Sequence, residues 1–381
     1  MGTRRRRRPR RIAGLPGYVV LLAVLLLWLF QELRPGPSPL QAPAEAGQAE
    51  VYFMPQDGER AKARILSLME EAEESLKGAF YEFRSLEIAR GLLRARERGV
   101  RVEIYGESDF RQDFRRYLVA ASLGQTREPP RVAQALLRER VRPTSIDCEE
   151  IVGIPVCFDE REGFMHHKFL VVDGRVVWTG SANMTWNAFA RNNENGLLLA
   201  SPTLAAGFGA EFQALFRGEK EGLGRPVAFR LEDPPLEGTA HFSPRGGREG
   251  RRALLEAVRR ARREILVAAF VLTDQALVEA LKEAHRQGVS LKVLLETRNL
   301  RDSRWEALVQ AGIPVRRDGN PFTMHHKVMV LDGEWVVTGS YNFSLRAWQV
   351  NNENLLILRS PILAERYREE VLRLWEEGEP L

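Results

Sequence analysis

Three segments of this chain occur twice, each pair 159 positions apart. Phe164-Met165-His166-His167-Lys168-Phe169-Leu170-Val171-Val172-Asp173-Gly174 returns as Phe322-Thr323-Met324-His325-His326-Lys327-Val328-Met329-Val330-Leu331-Asp332-Gly333, with one extra residue ahead of the methionine. Thr179-Gly180-Ser181-Ala182-Asn183 returns as Thr338-Gly339-Ser340-Tyr341-Asn342, and Asn192-Asn193-Glu194-Asn195 as Asn351-Asn352-Glu353-Asn354. Upstream, Phe53-Met54-Pro55 matches Phe242-Ser243-Pro244, and Ala79-Phe80 matches Ala269-Phe270, at offsets of 189 and 190. The first copy therefore carries an insertion of about 30 residues between Asp109 and Gly153. A chain duplicated in this way is expected to fold as two similar units.

Within each copy helical and strand signals alternate. Arg60 to Lys77 and Arg251 to Arg263 place apolar residues at three-and-four spacing, while Leu266 to Val271, Val289 to Leu295 and Lys327 to Leu331 read as buried strands. The expected fold class is α/β: two lobes related by a pseudo-twofold axis, each a mixed sheet flanked by helices. Lobe 1 is expected over 51–218, with its insertion around 110–152, and lobe 2 over 240–381. The Gly- and Pro-rich stretch 219–239 reads as their connection. Such an axis would bring the two histidine segments together.

Ahead of the lobes lies a different kind of sequence. Residues 1–11 hold seven arginines, more than the whole chain's net charge of +5, so the remainder is slightly acidic and gives no general argument for nucleic acid. Residues 12–30 carry no charge and would span roughly 28 Å as a helix, the thickness of a bilayer core. One N-terminal transmembrane helix is expected, its arginine tail in the cytoplasm and the catalytic body outside. The rival is a cleaved signal and a secreted body, although Ala42-Pro43-Ala44, the one small-x-small site, lies a dozen residues past the apolar run. Residues 31–50, rich in Pro and Ala, read as a linker. Cys148 and Cys157 bracket a short segment that a disulfide can close in an oxidising compartment, two buried thiols being the alternative. Neither has a histidine at a spacing that suits a catalytic cysteine.

The chemistry is concentrated in the repeats. Four of six histidines lie there, and two of only seven lysines, in a chain with 49 arginines. Aligned lysines in so arginine-biased a sequence point to a site that needs a compact ammonium. In extended backbone His166 and Lys168 face one way and His167 the other, and His325 and Lys327 behave alike, so each doublet holds one working and one structural histidine. That divergence argues against zinc, and no carboxylate cluster suits a two-metal site. Two histidines and two lysines in one pocket suit a phosphodiester. The lysines neutralise non-bridging oxygens, one histidine attacks phosphorus and the other protonates the departing oxygen. Gly180-Ser181 and Gly339-Ser340 permit close backbone approach, Asn183 and Asn342 can donate to a phosphate oxygen, and Glu194 and Glu353 can fix the imidazole tautomers.

His-x-Lys-x4-Asp-x6-Gly-Ser-x-Asn, at His166 to Asn183 and again at His325 to Asn342, resembles the signature of the phospholipase D superfamily, and the repeat covers most of Val51 to Glu377. The resemblance implies a reaction without metal or cofactor, through a covalent phosphohistidine, with His166 as nucleophile and His325 as general acid. It also implies that Lys168, Lys327, Asn183 and Asn342 bind phosphate and that Ser181 and Ser340 support the site. Asp173 and Asp332 would hold the motif's architecture. Members hydrolyse or transfer phosphatidyl groups, make cardiolipin or cut nucleic acids. The apolar N-terminus and near-neutral body favour a phospholipid substrate at a membrane, with no obligate protein partner. The alternative is an extracytoplasmic nuclease acting on DNA or RNA, for which Arg111, Arg115, Arg116, Arg127, Arg131, Arg138, Arg140 and Arg142 could form a track; a solvated, acid-balanced helix face is the other reading of those arginines. Cardiolipin synthesis and a non-catalytic envelope role rank below both.

Overall fold

The computed structural model describes residues 42–128 and 130–381. The arginine tail, the apolar run 12–30 and most of the linker lie outside the described residues, so the expected membrane span does too. Among the described residues no helix is long and apolar enough to cross a membrane.

A nine-stranded and a ten-stranded sheet share one central order. In lobe 1 it runs Gln48–Met54, Glu194–Ala200, Val176–Gly180, Lys168–Val172, Ser75–Phe80, Arg101–Glu107, Ile154–Asp159. In lobe 2 it runs Leu236–Ser243, Glu353–Arg359, Trp335–Gly339, Lys327–Leu331, Glu264–Ala269, Ser290–Leu295, Val315–Arg317. Both are mixed sheets: Arg101–Glu107 is parallel to both of its neighbours, as Ser290–Leu295 is, and the strands nearer the motifs pair antiparallel. The strands that follow the histidines, Lys168–Val172 and Lys327–Leu331, are apolar on both faces because both faces are covered. Leu170 and Val172 join the core on lobe 1's outer side, while Phe169 and Val171 join a central core shared with Val328 and Val330 of lobe 2. The helices Pro202–Phe216 and Pro361–Glu377 contribute to that central layer, each capped by a serine (Ser201, Ser360) and opened by a proline. Phe208 meets Phe169 of lobe 1 and Phe242 of lobe 2 edge-on, with centroids 5.0 and 4.9 Å away.

Several expectations change in detail. The first helix of lobe 1 among the described residues is Gly58–Glu71, and Lys77, read as its end, belongs to the strand Ser75–Phe80. That strand aligns with Glu264–Ala269 one residue away from the Ala-Phe match. Tyr81 N donates to His167 O and Phe270 N to His326 O, so Tyr81 and Phe270 are the true counterparts. The linker's last residues are already structured: Ala44–Glu45 pairs with Val227–Leu231 of lobe 2, and Gln48–Met54 enters lobe 1's sheet. The connection is also shorter than 219–239, because Val227–Leu231 and Leu236–Ser243 form a ladder. Pro226 precedes it and Pro234 and Pro235 fall in its turn, where a missing N–H costs no ladder bond. The insertion adds the helix Gln134–Arg140 and the strands Val141–Pro143 and Cys148–Ile151 at lobe 1's edge. There Cys148 faces Cys157 in the ladder and the two are disulfide-bonded.

Candidate active site

The three repeated segments of both lobes converge on one buried pocket wall. Each His-x-Lys segment crosses to the other lobe as it enters its strand: His166 N donates to Asn352 O at 3.0 Å and His325 N to Asn193 O at 2.8 Å. The following glutamates are thereby delivered across the axis. His166 Nδ1 lies 2.7 Å from Glu353 Oε2, and His325 Nδ1 lies 3.0 and 2.8 Å from the two oxygens of Glu194. Each glutamate thus orients the histidine of the opposite lobe, a choice of partner that the sequence leaves open. With Nδ1 engaged, Nε2 is the nitrogen left for chemistry on both rings. All four side chains are buried.

The lysines are held by the same backbone. Lys168 Nζ donates to His166 O at 2.8 Å and Lys327 Nζ to His325 O at 2.7 Å. Tyr81 and Phe270 pack against both members of each motif: their ring centroids are 4.6 and 4.5 Å from the imidazoles and 4.6 and 4.7 Å from the ammonium nitrogens. The second histidines turn away, as strand alternation predicts. His167 packs on Phe169 and Phe242, and His326 on Phe53 with its Nδ1 3.3 Å from Asn195 Oδ1.

The Gly-Ser turns brace the glutamates. Gly180 and Gly339 have φ of 141° and 125°, and a Cβ there would lie 2.3 and 2.4 Å from the carbonyl oxygens of Asn195 and Asn354. Ser340 Oγ donates to Glu353 Oε2 at 2.7 Å while accepting from Asn354 N at 3.0 Å, and Ser181 Oγ accepts from Asn195 N at 2.9 Å. Asn183 and Asn342 follow these turns with their Oδ1 atoms buried and unpaired. Asp173 and Asp332 are not brought to the pocket. They sit at the far end of the motif strands, accepting from the N–H groups of Glu73, Glu74 and Ser75 and of Arg262, Arg263 and Glu264. Cys148 and Cys157 lie apart as well, on the insertion edge.

Two carboxylates that sequence reasoning passed over position the histidine loops. Glu107 Oε2 accepts from Met165 N at 2.8 Å, and Glu296 Oε2 from Met324 N at 2.6 Å. They lie at the end of the second strand over from the motif strand, Glu107 as its last residue and Glu296 just past it; both are buried and lie 189 positions apart, the offset that could have revealed them. Arg161 and Asn320 likewise strap the lobes, bonding Asn352 and Asn193 respectively.

Burial decides the electrostatics. It holds His166 well below the ordinary imidazole range, helped by Lys168 and Lys327, and takes His325 to about 4. It lowers Lys168 to about 8 and Lys327 to about 7. Burial opposes the Glu194 charge, yet His325 and Lys327 hold this carboxyl below its usual range, whereas burial pushes Glu353 up to about 8. Although alike in geometry, the two pairs differ in surroundings: His325 and Lys327 favour charge on Glu194, whereas burial disfavours it on Glu353. A pocket lined by two buried lysines suits a monoanionic phosphodiester. Among the described residues no group of three or more His, Cys, Asp or Glu is arranged to hold a metal ion.

Paired lobes that share a histidine-lysine pocket define a phosphodiesterase-type site, and comparison with known proteins agrees. A family model described as "Cardiolipin synthase, PLD-like domain" matches residues 65–216 and 254–375, and the chain belongs to this phospholipase D-like family. It is 36% identical over 122 residues to a mitochondrial cardiolipin hydrolase of Xenopus laevis, covering 32% of this chain and 58% of that protein. It is 34% identical over 116 residues to a phospholipase D of Rickettsia typhi, covering 30% and 57%. The chain thus spans less than two thirds of these relatives. The crystal structure of a phosphatidylserine synthase from Haemophilus influenzae superposes with a TM-score of 0.62 at 12% identity, covering 88% of this chain and 87% of that one, a likeness of fold.

Proposed function

We propose that this protein is a phospholipase D-type phosphodiesterase that hydrolyses or transfers phosphatidyl groups of membrane phospholipids. The observation that carries the reading is the crossed pair of His–Glu contacts beside two buried lysines. His166 Nε2 attacks phosphorus, the P–O bond to the head group breaks, and His325, whose imidazolium form Glu194 and the bound phosphate favour, gives its Nε2 proton to the leaving oxygen. The resulting phosphatidyl–His166 adduct is then opened by water or an alcohol, whose proton passes to His325. Lys168 and Lys327 offset charge on the non-bridging oxygens throughout, and Asn183 and Asn342 add amide donors. The lipid reading is supported by the relatives' names and by the insertion's arginines. Arg111, Arg115, Arg116, Arg140 and Arg142 each lie within 4.0 Å of a carboxylate, which favours the acid-balanced face over a nucleic-acid track. The arginine-then-apolar N-terminus and the Cys148–Cys157 bridge support a catalytic body outside the cytoplasm.

The test is to incubate the full-length protein with mixed phospholipid vesicles, ethanol and a chelator. Phosphatidylethanol is expected, absent with His166→Ala, because an enzyme-bound phosphatidyl group partitions to the alcohol. No lipid product, with single-stranded DNA or RNA cut by the same preparation, would overturn the reading in favour of a nuclease.

A further inference from the structure

Many surface arginines of this protein are neutralised where they sit: Arg84, Arg94, Arg111, Arg115 and Arg251 each lie within 3.0 Å of a carboxylate. Two arginines flanking the site behave otherwise. The Arg191 guanidinium lies between two rings from different lobes, 4.3 Å from the Trp186 centroid and 4.7 Å from that of Phe322. Arg346 lies 5.6 Å from the Phe164 ring and donates to Glu162 O at 3.3 Å. Among the described residues neither has an ion-pair partner. Each phenylalanine immediately precedes an active-site segment, Phe164 ahead of His166 and Phe322 ahead of His325. Phe164 is one ring removed from the chemistry: its centroid is 5.7 Å from Tyr81, which packs on His166.

Exposed apolar groups lie beside these arginines, Trp186 and Phe322 against Arg191 and Leu345 next to Arg346 in the chain. Trp186, Leu345 and Phe322 are 48%, 46% and 41% exposed. Trp186 and Leu345 are repeat counterparts, each opening the short helix that follows a Gly-Ser-x-Asn turn. Large apolar side chains beside unneutralised guanidinium groups match the boundary of an anionic bilayer, where aromatic bodies enter the head-group region and cations meet phosphate.

We propose that this rim is a docking surface for the anionic face of a phospholipid bilayer, so that the pocket opens onto the membrane that holds its substrate. The inference rests on the lipid reading above. A single strand of nucleic acid is the poorer occupant: Leu345 offers no face for base stacking, and two guanidinium groups do not make the long basic track such binding uses.

The test compares one head group in two physical states, with the full chain throughout. One substrate is a short-chain phospholipid below its micelle concentration; the other is the long-chain lipid in vesicles of equal phosphatidylcholine and phosphatidylglycerol. The paired variants are Trp186→Ser with Phe322→Ser, and Arg191→Gln with Arg346→Gln. Each pair is expected to lose about tenfold or more in vesicle turnover while short-chain turnover is unchanged, and the arginine pair's loss should vanish on pure phosphatidylcholine. Equal loss on both substrates, or none on vesicles, overturns the docking surface. Loss confined to cleavage of single-stranded DNA assigns the rim to base stacking instead. If the unaltered protein turns over neither lipid form, the lipid reading itself fails and the docking surface with it.

Discussion

Each candidate catalytic imidazole is oriented by a carboxylate that its own lobe does not supply. Glu353→Gln and Glu194→Gln remove the carboxylate charge beside Nδ1 and put an amide in its place, so each is expected to lower kcat by about 100-fold or more with little change in KM, read from steady-state kinetics. His167→Gln should keep most of its turnover, because that ring packs among Phe169, Phe242 and Asn354, and should show its cost as lower thermal stability. The lysines set the alkaline side of the pH profile. Burial brings Lys327 to about 7 and Lys168 to about 8, so rising pH strips the ammonium charge that meets phosphate. kcat/KM is expected to fall above that range, whereas kcat should fall at higher pH, because bound phosphate favours the charged forms. The residue types of the site were legible in the sequence, since scarce histidines and lysines recur at one offset. The crossing of the glutamates was not, because both arrangements share the same local spacing and only the tertiary axis chooses. Glu107 and Glu296 escaped notice because the residues before them differ, Tyr105-Gly106 against Leu294-Leu295, and leave the glutamate as a lone match.

At the level of elements, strands and helices followed from their periodicity, and errors fell where turn chemistry governs. Pro234 and Pro235 suggested a linker but sit in the turn of a strand pair, and the Ala-rich end of the expected linker is held by pairing to Val227–Leu231. Neither follows from composition, because ladder partners distant in sequence decide both. The insertion is a separable element. It extends lobe 1's sheet away from the pocket, and the bridge Cys148–Cys157 closes its hairpin. Cys148→Ser with Cys157→Ser is expected to cost about 2 to 3 kcal/mol in denaturant unfolding and to leave turnover unchanged. Loss of turnover at unchanged stability would show that the hairpin reaches the site. Asp173 is the opposite kind of residue, a conspicuous motif position whose work is structural: it ties the strand's end to the N–H groups of Glu73, Glu74 and Ser75.

For the whole molecule, the decisive property is a fused pair of lobes whose shared core is also the floor of the site. Phe208 joins both lobes there, and Phe208→Ala is expected to cost about 3 to 5 kcal/mol, disturbing both histidines together. Buried histidines away from the pocket couple this stability to pH. Burial takes His241 to about 4, below its unfolded value, so the unfolded chain binds the proton first as pH falls and stability is lost between roughly 6.5 and 4. Against His241→Gln, the unaltered protein should lose about 1.4 kcal/mol per pH unit across that window, and the two curves should run parallel above it. The duplication made the two-lobed architecture legible, while the closeness of the lobes depends on the shared apolar faces and cross-axis bonds that only the fold displays. The central claim is that this composite pocket works through a covalent phosphohistidine on His166. The most direct measurement is mass spectrometry of proteolytic peptides after an alkaline denaturing quench, made during turnover of vesicles by the unaltered protein. The account predicts a phosphatidyl adduct on the peptide that contains His166; an adduct on the peptide that contains His325, with His166 never modified, would contradict it.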